Sequence, residues 1–141
     1  MVNTYSLETT IAEKLDAILN LMEFSSRMKD YYDIYYLANK FDFDGAVLTE
    51  ALRKTFANRS HIFTVAQFEQ IVAFDDDDAM QKKWKAFCRK IDTKTDDYST
   101  VLRTIKDFLA KPILAAVHTT CFDEQWIAAT NTWGQGGKYD G

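Results

Sequence analysis

The chain has 141 residues, 47% apolar and 27% charged, with a net charge of −4, which fits one soluble globular domain of ordinary composition. That charge argues against nonspecific binding to duplex nucleic acid, for which a basic domain is expected. Two cysteines, Cys88 and Cys121, give neither a disulfide framework nor a metal-binding spacing, and read as small buried hydrophobes in a reducing compartment. No apolar run reaches the roughly 18 residues of a membrane span, and the N-terminus lacks a signal peptide, so a cytoplasmic protein is expected.

Taken in chain order, the pattern is helical nearly throughout. Leu7, Ile11, Leu15, Ile18 and Met22 recur as one buried helix face, with Ser6 as N-cap. Ser25 and Ser26 break that helix and cap a second, Met28 to Lys40. The connection near Glu23 to Arg27 is short, which predicts an antiparallel hairpin of the two. Phe41 to Gly45 is a turn, and Ala46 to Ala57 a third helix carrying Val47, Leu48, Ala51, Leu52 and Phe56. Thr64 and Gln67 have capping-box spacing and open a fourth through Val72. Asp75 to Asp78 precede an amphipathic fifth, with Met80, Trp84, Phe87, Cys88 and Ile91 on one side. After a loop from Thr93 to Asp97, Ser99 to Leu109 form another helix, which Pro112 ends or kinks. The conformation from Ala115 onward stays open, and 134–141 reads as a tail. With one proline and five glycines, the chain predicts a mainly α fold: a single bundle of five to seven helices over 1–133, with little or no sheet.

Most candidate constellations have a plain structural explanation. Asp75 to Asp78 could bind a cation, but acidic residues before a helix already interact well with its positive end. Asp42 and Asp44 have the D-x-D form of metal-dependent transferases, yet Gly45 and a helix follow, as in turn and N-cap chemistry. His61 and His118 are isolated, and no P-loop or nucleophile-elbow motif is present.

The start of the second helix is different. Asp30 and Asp33 are three apart and share a face, and Lys29 can pair with Asp33 at i,i+4. Lys14 points at them from the preceding helix, with Arg27 nearby. Tyr31, Ile34, Tyr35 and Ala38 form a separate inward stripe. Two readings stay open: a helix–helix ion-pair network, or a lysine that contacts a nucleotide phosphate while carboxylates orient it or assist a metal.

The run from Tyr5 to Leu19, then Ser26 to Leu37, resembles the second half of the AbiEii/AbiGii toxin family of nucleotidyltransferase-like proteins. Phe43 to Gly45, Leu48, Thr55 to Arg59 and Trp84 to Phe87 follow in the family's order, so the resemblance covers about 5–110. It implies catalytic roles for Asp30 and Asp33 and nucleotide contacts from Lys14, Arg27 and Lys29. It also implies Mg²⁺ and a nucleoside triphosphate as cofactors, a cognate antitoxin, and a bacterial toxin–antitoxin or phage-defence setting. The family's first half carries a Gly-Ser motif followed by D-x-D on a small sheet. Here no glycine precedes a serine, and Asp42-Phe-Asp44 comes after the lysine and carboxylates instead of before them. The chain is therefore expected to be the helical C-terminal portion of such a protein. It should need an N-terminal catalytic half as partner, hold neither cofactor by itself and transfer no nucleotide alone.

A stand-alone helical interaction module is the alternative. A helical ribonuclease is disfavoured, because Arg53 and His61 have seven residues between them and Arg59 and His61 one, neither the spacing of the Arg–His pair such enzymes use.

Overall fold

The computed structural model describes residues 6–21, 28–58, 64–73, 77–94 and 96–134. Six helices lie among them: α1 (Leu7–Leu21), α2 (Met28–Lys40), α3 (Gly45–Ala57), α4 (Val65–Val72), α5 (Asp78–Lys90) and α6 (Tyr98–His118). Three short strands, β1 (Phe43–Asp44), β2 (Gln125–Ile127) and β3 (Thr132–Gly134), form an antiparallel sheet in the order β1-β2-β3. The mainly α fold is thus as expected.

Helices α1, α3, α4, α5 and α6 start where the sequence supplies a cap. Ser6 Oγ accepts from Thr9 N at 3.1 Å, and Thr64 and Gln67 form the full reciprocal capping box of α4. Asp44, Asp77 and Asp97 each accept backbone N–H groups at the starts of α3, α5 and α6. Asp42 instead accepts from Ala128 N at 2.8 Å, so both aspartates of the D-x-D are used structurally. Asp75, Asp76, His61 and the connection expected near Glu23 to Arg27 lie outside the described residues.

The centre of the domain is α6, against which α2, α3, α4 and α5 all pack, while α1 covers α2 and α3. Val101, Leu102, Ile105, Phe108 and Leu109 are buried as their spacing predicts. So are Ile11, Leu15 and Ile18 of α1. Leu7, expected on the same buried face, is 37% exposed, because it sits in the first turn, beyond the packed length of the helix.

Pro112 does not end α6, which continues to His118 and stops at Thr119 in the left-handed region (φ 58°). A proline inside a helix removes the N–H that would bond the carbonyl four residues back, here that of Phe108. The indole of Trp133 donates to that same Phe108 oxygen at 3.0 Å. The chain therefore satisfies the carbonyl that Pro112 orphans, using a residue beyond the helix. A test is a double-mutant cycle with Pro112→Ala and Trp133→Phe. Trp133→Phe alone should cost about 1–3 kcal/mol, the penalty of an unsatisfied buried carbonyl plus lost packing. Part of that cost should vanish when Pro112→Ala restores the helical N–H, giving a coupling of at least about 0.5 kcal/mol in urea denaturation. Strict additivity would refute the compensation.

The segment after α6, left open by the sequence, forms the β2–β3 hairpin. Trp126, fully buried, donates from Nε1 to Ala38 O at 2.7 Å. Its ring meets Phe108 at 4.9 Å and Trp133 at 5.4 Å between centroids. Gly45 permits the close approach of this segment: its N–H donates to Glu124 O at 2.8 Å, and a Cβ there would lie 2.5 Å from that oxygen.

Candidate functional site

The lysine and carboxylates singled out in the sequence come together between α1 and α2. Lys14 Nζ lies 2.8 Å from Asp33 Oδ2 and 3.5 Å from Asp30 Oδ1. Lys29 Nζ reaches the same Asp33 Oδ2 at 2.8 Å from one turn earlier on α2. Helical spacing explains this. Residues 29 and 33 are neighbours on one face, as are 30 and 33, and the buried positions Tyr31, Ile34 and Ala38 turn α2 so that its acidic edge meets α1. Arg27 lies outside the described residues.

The cluster is half-buried. The side chains of Lys14, Asp33 and Asp30 are 25%, 20% and 9% exposed, against 73% for Lys29. Burial opposes the charge on Lys14, but the hydrogen bond to Asp33 and the charges of Asp33 and Asp30 outweigh it and raise its pKa. Burial likewise opposes ionisation of Asp33, and Lys14 and Lys29 outweigh it, so its pKa is lowered. Below the pair, burial and the nearby Asp30 charge push the Tyr31 phenol up to about 12. The ring of Tyr31 meets Tyr98 edge to face at 5.7 Å.

These shifts give the cluster a defined pH window. A carboxylate with a depressed folded pKa adds stability above its unfolded pKa, about 3.9, and loses it as pH falls through the folded value. A lysine with a raised pKa adds stability below its unfolded value and loses it as pH climbs through the folded one. At neutral pH both contributions are present. Asp33→Asn should therefore lower stability by about 1–2 kcal/mol at pH 7, between the values for exposed and buried pairs. As pH falls through the lowered folded-state pKa of Asp33 the difference from wild type should close, since both proteins then carry a neutral side chain. Denaturation curves at several pH values measure this; a gap independent of pH would mean that the charge does not matter.

Chemically, the arrangement holds an ammonium group charged, aimed and partly shielded, as an anion contact requires. No group of three or more His, Cys, Asp or Glu among the described residues could hold a metal ion, and Lys14 and Lys29 already engage Asp33.

The model of the nucleotidyl transferase AbiEii toxin family, of type IV toxin–antitoxin systems, matches residues 1–111. The chain belongs to this AbiEii family. No curated protein and no solved structure matches it. The matched part of this AbiEii chain holds the whole Lys14–Asp30–Asp33 cluster and ends just before Pro112, so the β2–β3 hairpin falls outside it. No helix among the described residues is long and apolar enough to cross a membrane. Sequence reasoning missed the tie between Tyr35, whose hydroxyl donates to Asp96, and the α5–α6 loop. Only a pattern linking residues 61 positions apart could have signalled it.

Proposed function

We propose that this domain supplies the lysine and carboxylate part of a nucleotidyl transfer site in an AbiEii-type toxin, and that transfer requires groups this sequence does not carry. The observation that carries the reading is Lys14. It is held between Asp33 and Asp30 on a different helix, at 2.8 and 3.5 Å, in the motif that resembles the family's active site. Lys14 acts as a point charge on a nucleoside triphosphate, and Asp30 and Asp33 are the catalytic-site carboxylates that fix its position. Lys29, mostly exposed, is free to swing from Asp33 to a second phosphate oxygen, and Arg27 adds to the same anion contact. A Mg²⁺ ion would draw its ligands from elsewhere, since the described residues offer no set for one.

The same reading gives the protein a bacterial cytoplasmic setting, a cognate antitoxin and a role in phage defence. The Gly-Ser and D-x-D groups come from an additional catalytic half.

The test is transfer of labelled nucleotide by a preparation containing both halves, with thermal stability measured on the same samples. Lys14→Ala should lower the rate by at least about a hundredfold, the scale of one lost electrostatic contact to a developing charge, while the domain stays folded. The 141-residue chain alone should transfer nothing. Transfer by the isolated chain, or wild-type transfer by Lys14→Ala, would defeat the proposal. The second reading, an interaction module without catalysis, is favoured by the exposure of Val47 (46%) and Leu7 (37%). It predicts that Lys14→Ala changes stability alone.

A further inference from the structure

A second polar feature lies on the other side of α2, away from Lys14. A cavity of about 580 Å³ opens between α5 and the loop into α6. Its floor is made by Trp84 and Tyr98, both buried, and by half-buried Cys88. Three exposed cations, Lys85, Arg89 and Lys94, stand around it.

These three have no carboxylate in ion-pair contact among the described residues, and the cavity brings them together. The cavity's two carboxylates are already engaged by the protein. Asp96 accepts from the Tyr35 hydroxyl, and Asp97 accepts from Thr100 N at 2.9 Å as the cap of α6. The wider charge pattern points the same way. The chain carries −4 overall, yet the exposed face of α5 carries Lys82, Lys83, Lys85, Arg89 and Lys90, and Asp78 is its one carboxylate. A basic face on an acidic protein concentrates anions locally.

We propose that this cavity binds a small organic phosphate of mononucleotide size. Its volume falls in the range of small-molecule pockets, which are mostly apolar with a few convergent polar groups. The guanidinium of Arg89 offers paired donors to phosphate oxygens, and Lys85 and Lys94 add point charges. The apolar body of the ligand lies over Cys88 and the Trp84 part of the cavity floor. This site does not depend on the Lys14 reading, and the two are tested separately.

The chain has three tryptophans, which makes the test direct. The Trp84 indole donates to Asp96 O at 3.0 Å beside the cavity, whereas Trp126 and Trp133 belong to the hairpin and serve as internal references. Nitrogen-15 spectra of the whole chain would be followed during titration with AMP, and separately with pyrophosphate. AMP should shift the Trp84 indole saturably, with half-saturation below about 1 mM at low salt, and leave the other two in place. Pyrophosphate should bind more weakly, since it lacks the apolar body. A Lys85→Gln/Arg89→Gln variant should bind AMP at least about tenfold more weakly, and Lys106→Gln, which removes an exposed cation of α6 outside the cavity, should bind it as wild type does.

Several results would overturn the proposal: no saturable shift, equal affinity in the Lys85/Arg89 variant, or pyrophosphate binding as tightly as AMP. Loss of the shift in Lys14→Ala would move the ligand to the first site. A single-stranded oligonucleotide that binds far more tightly than AMP, with steep salt dependence, would reassign the face to a polymer.

Discussion

Trp126→Ala is expected to unfold the domain or bring it close to unfolding. The side chain is fully buried and touches Phe108 and Trp133, and its indole satisfies Ala38 O. Truncating a buried tryptophan costs about 3–5 kcal/mol, and total stability is only about 5–15 kcal/mol. The lost hydrogen bond leaves a buried carbonyl without its donor, which adds to the cavity cost. Trp126→Phe separates the two effects: it keeps much of the ring and should cost less than half as much. In thermal melts, Trp126→Ala should lose about 10–20 °C. A shift of only a few degrees would show that the hairpin is an ornament on a self-sufficient helical core.

Trp84→Ala should have a comparable energy but a different reach. Only Met80 and Trp84 of α5 are fully buried, so this one side chain anchors much of the helix. Its ring lies near Phe87 at 5.6 Å, Tyr98 at 5.9 Å and Tyr32 at 6.4 Å, and its indole fixes the loop through Asp96 O. Removal should cost about 3 kcal/mol. The damage should stay local, because α5 touches the rest of the domain along one stripe. Hydrogen exchange should quicken through α5 and the loop after it, while α1, α3 and the second half of α6 keep their protection. Uniform acceleration across the chain would show instead that α5 belongs to the central cooperative unit.

The helices were legible because their signals are local. The capping box at Thr64 and Gln67, the aspartates at 44, 77 and 97, and the apolar rhythm of α6 all act within a few residues. The meeting of Lys14 with Asp30 and Asp33 was legible for a related reason: two adjacent helices with opposite charges at their facing edges have few other ways to satisfy them. The hairpin was not. Its strands are three residues long, too short for an alternating pattern to stand out. What fixes β2 is a partner strand far away, Phe43 opposite Trp126. That α6 runs on past Pro112 was hidden for the same reason. A proline signals a helix end unless something repairs the broken ladder, and the repairing group, Trp133, comes from a later element. Cavities made by α5 and its loop depend on tertiary placement, so the unpaired state of Lys85, Arg89 and Lys94 could not be read from their spacing.

The bond from Trp126 to Ala38 joins positions 88 residues apart, and that fixes an order of events during synthesis. All six helices have been made before Trp126 leaves the ribosome. Until then, Phe43 lacks its partner strand and Phe108 one of the rings that cover it, and the carbonyl facing Pro112 has no donor. A nascent chain therefore carries an uncovered aromatic patch for the time needed to add its final stretch, and closure is a late step between distant parts of the chain. Stalling translation just after α6 should leave a sticky, chaperone-dependent intermediate, whereas release after residue 134 should let the patch close on itself.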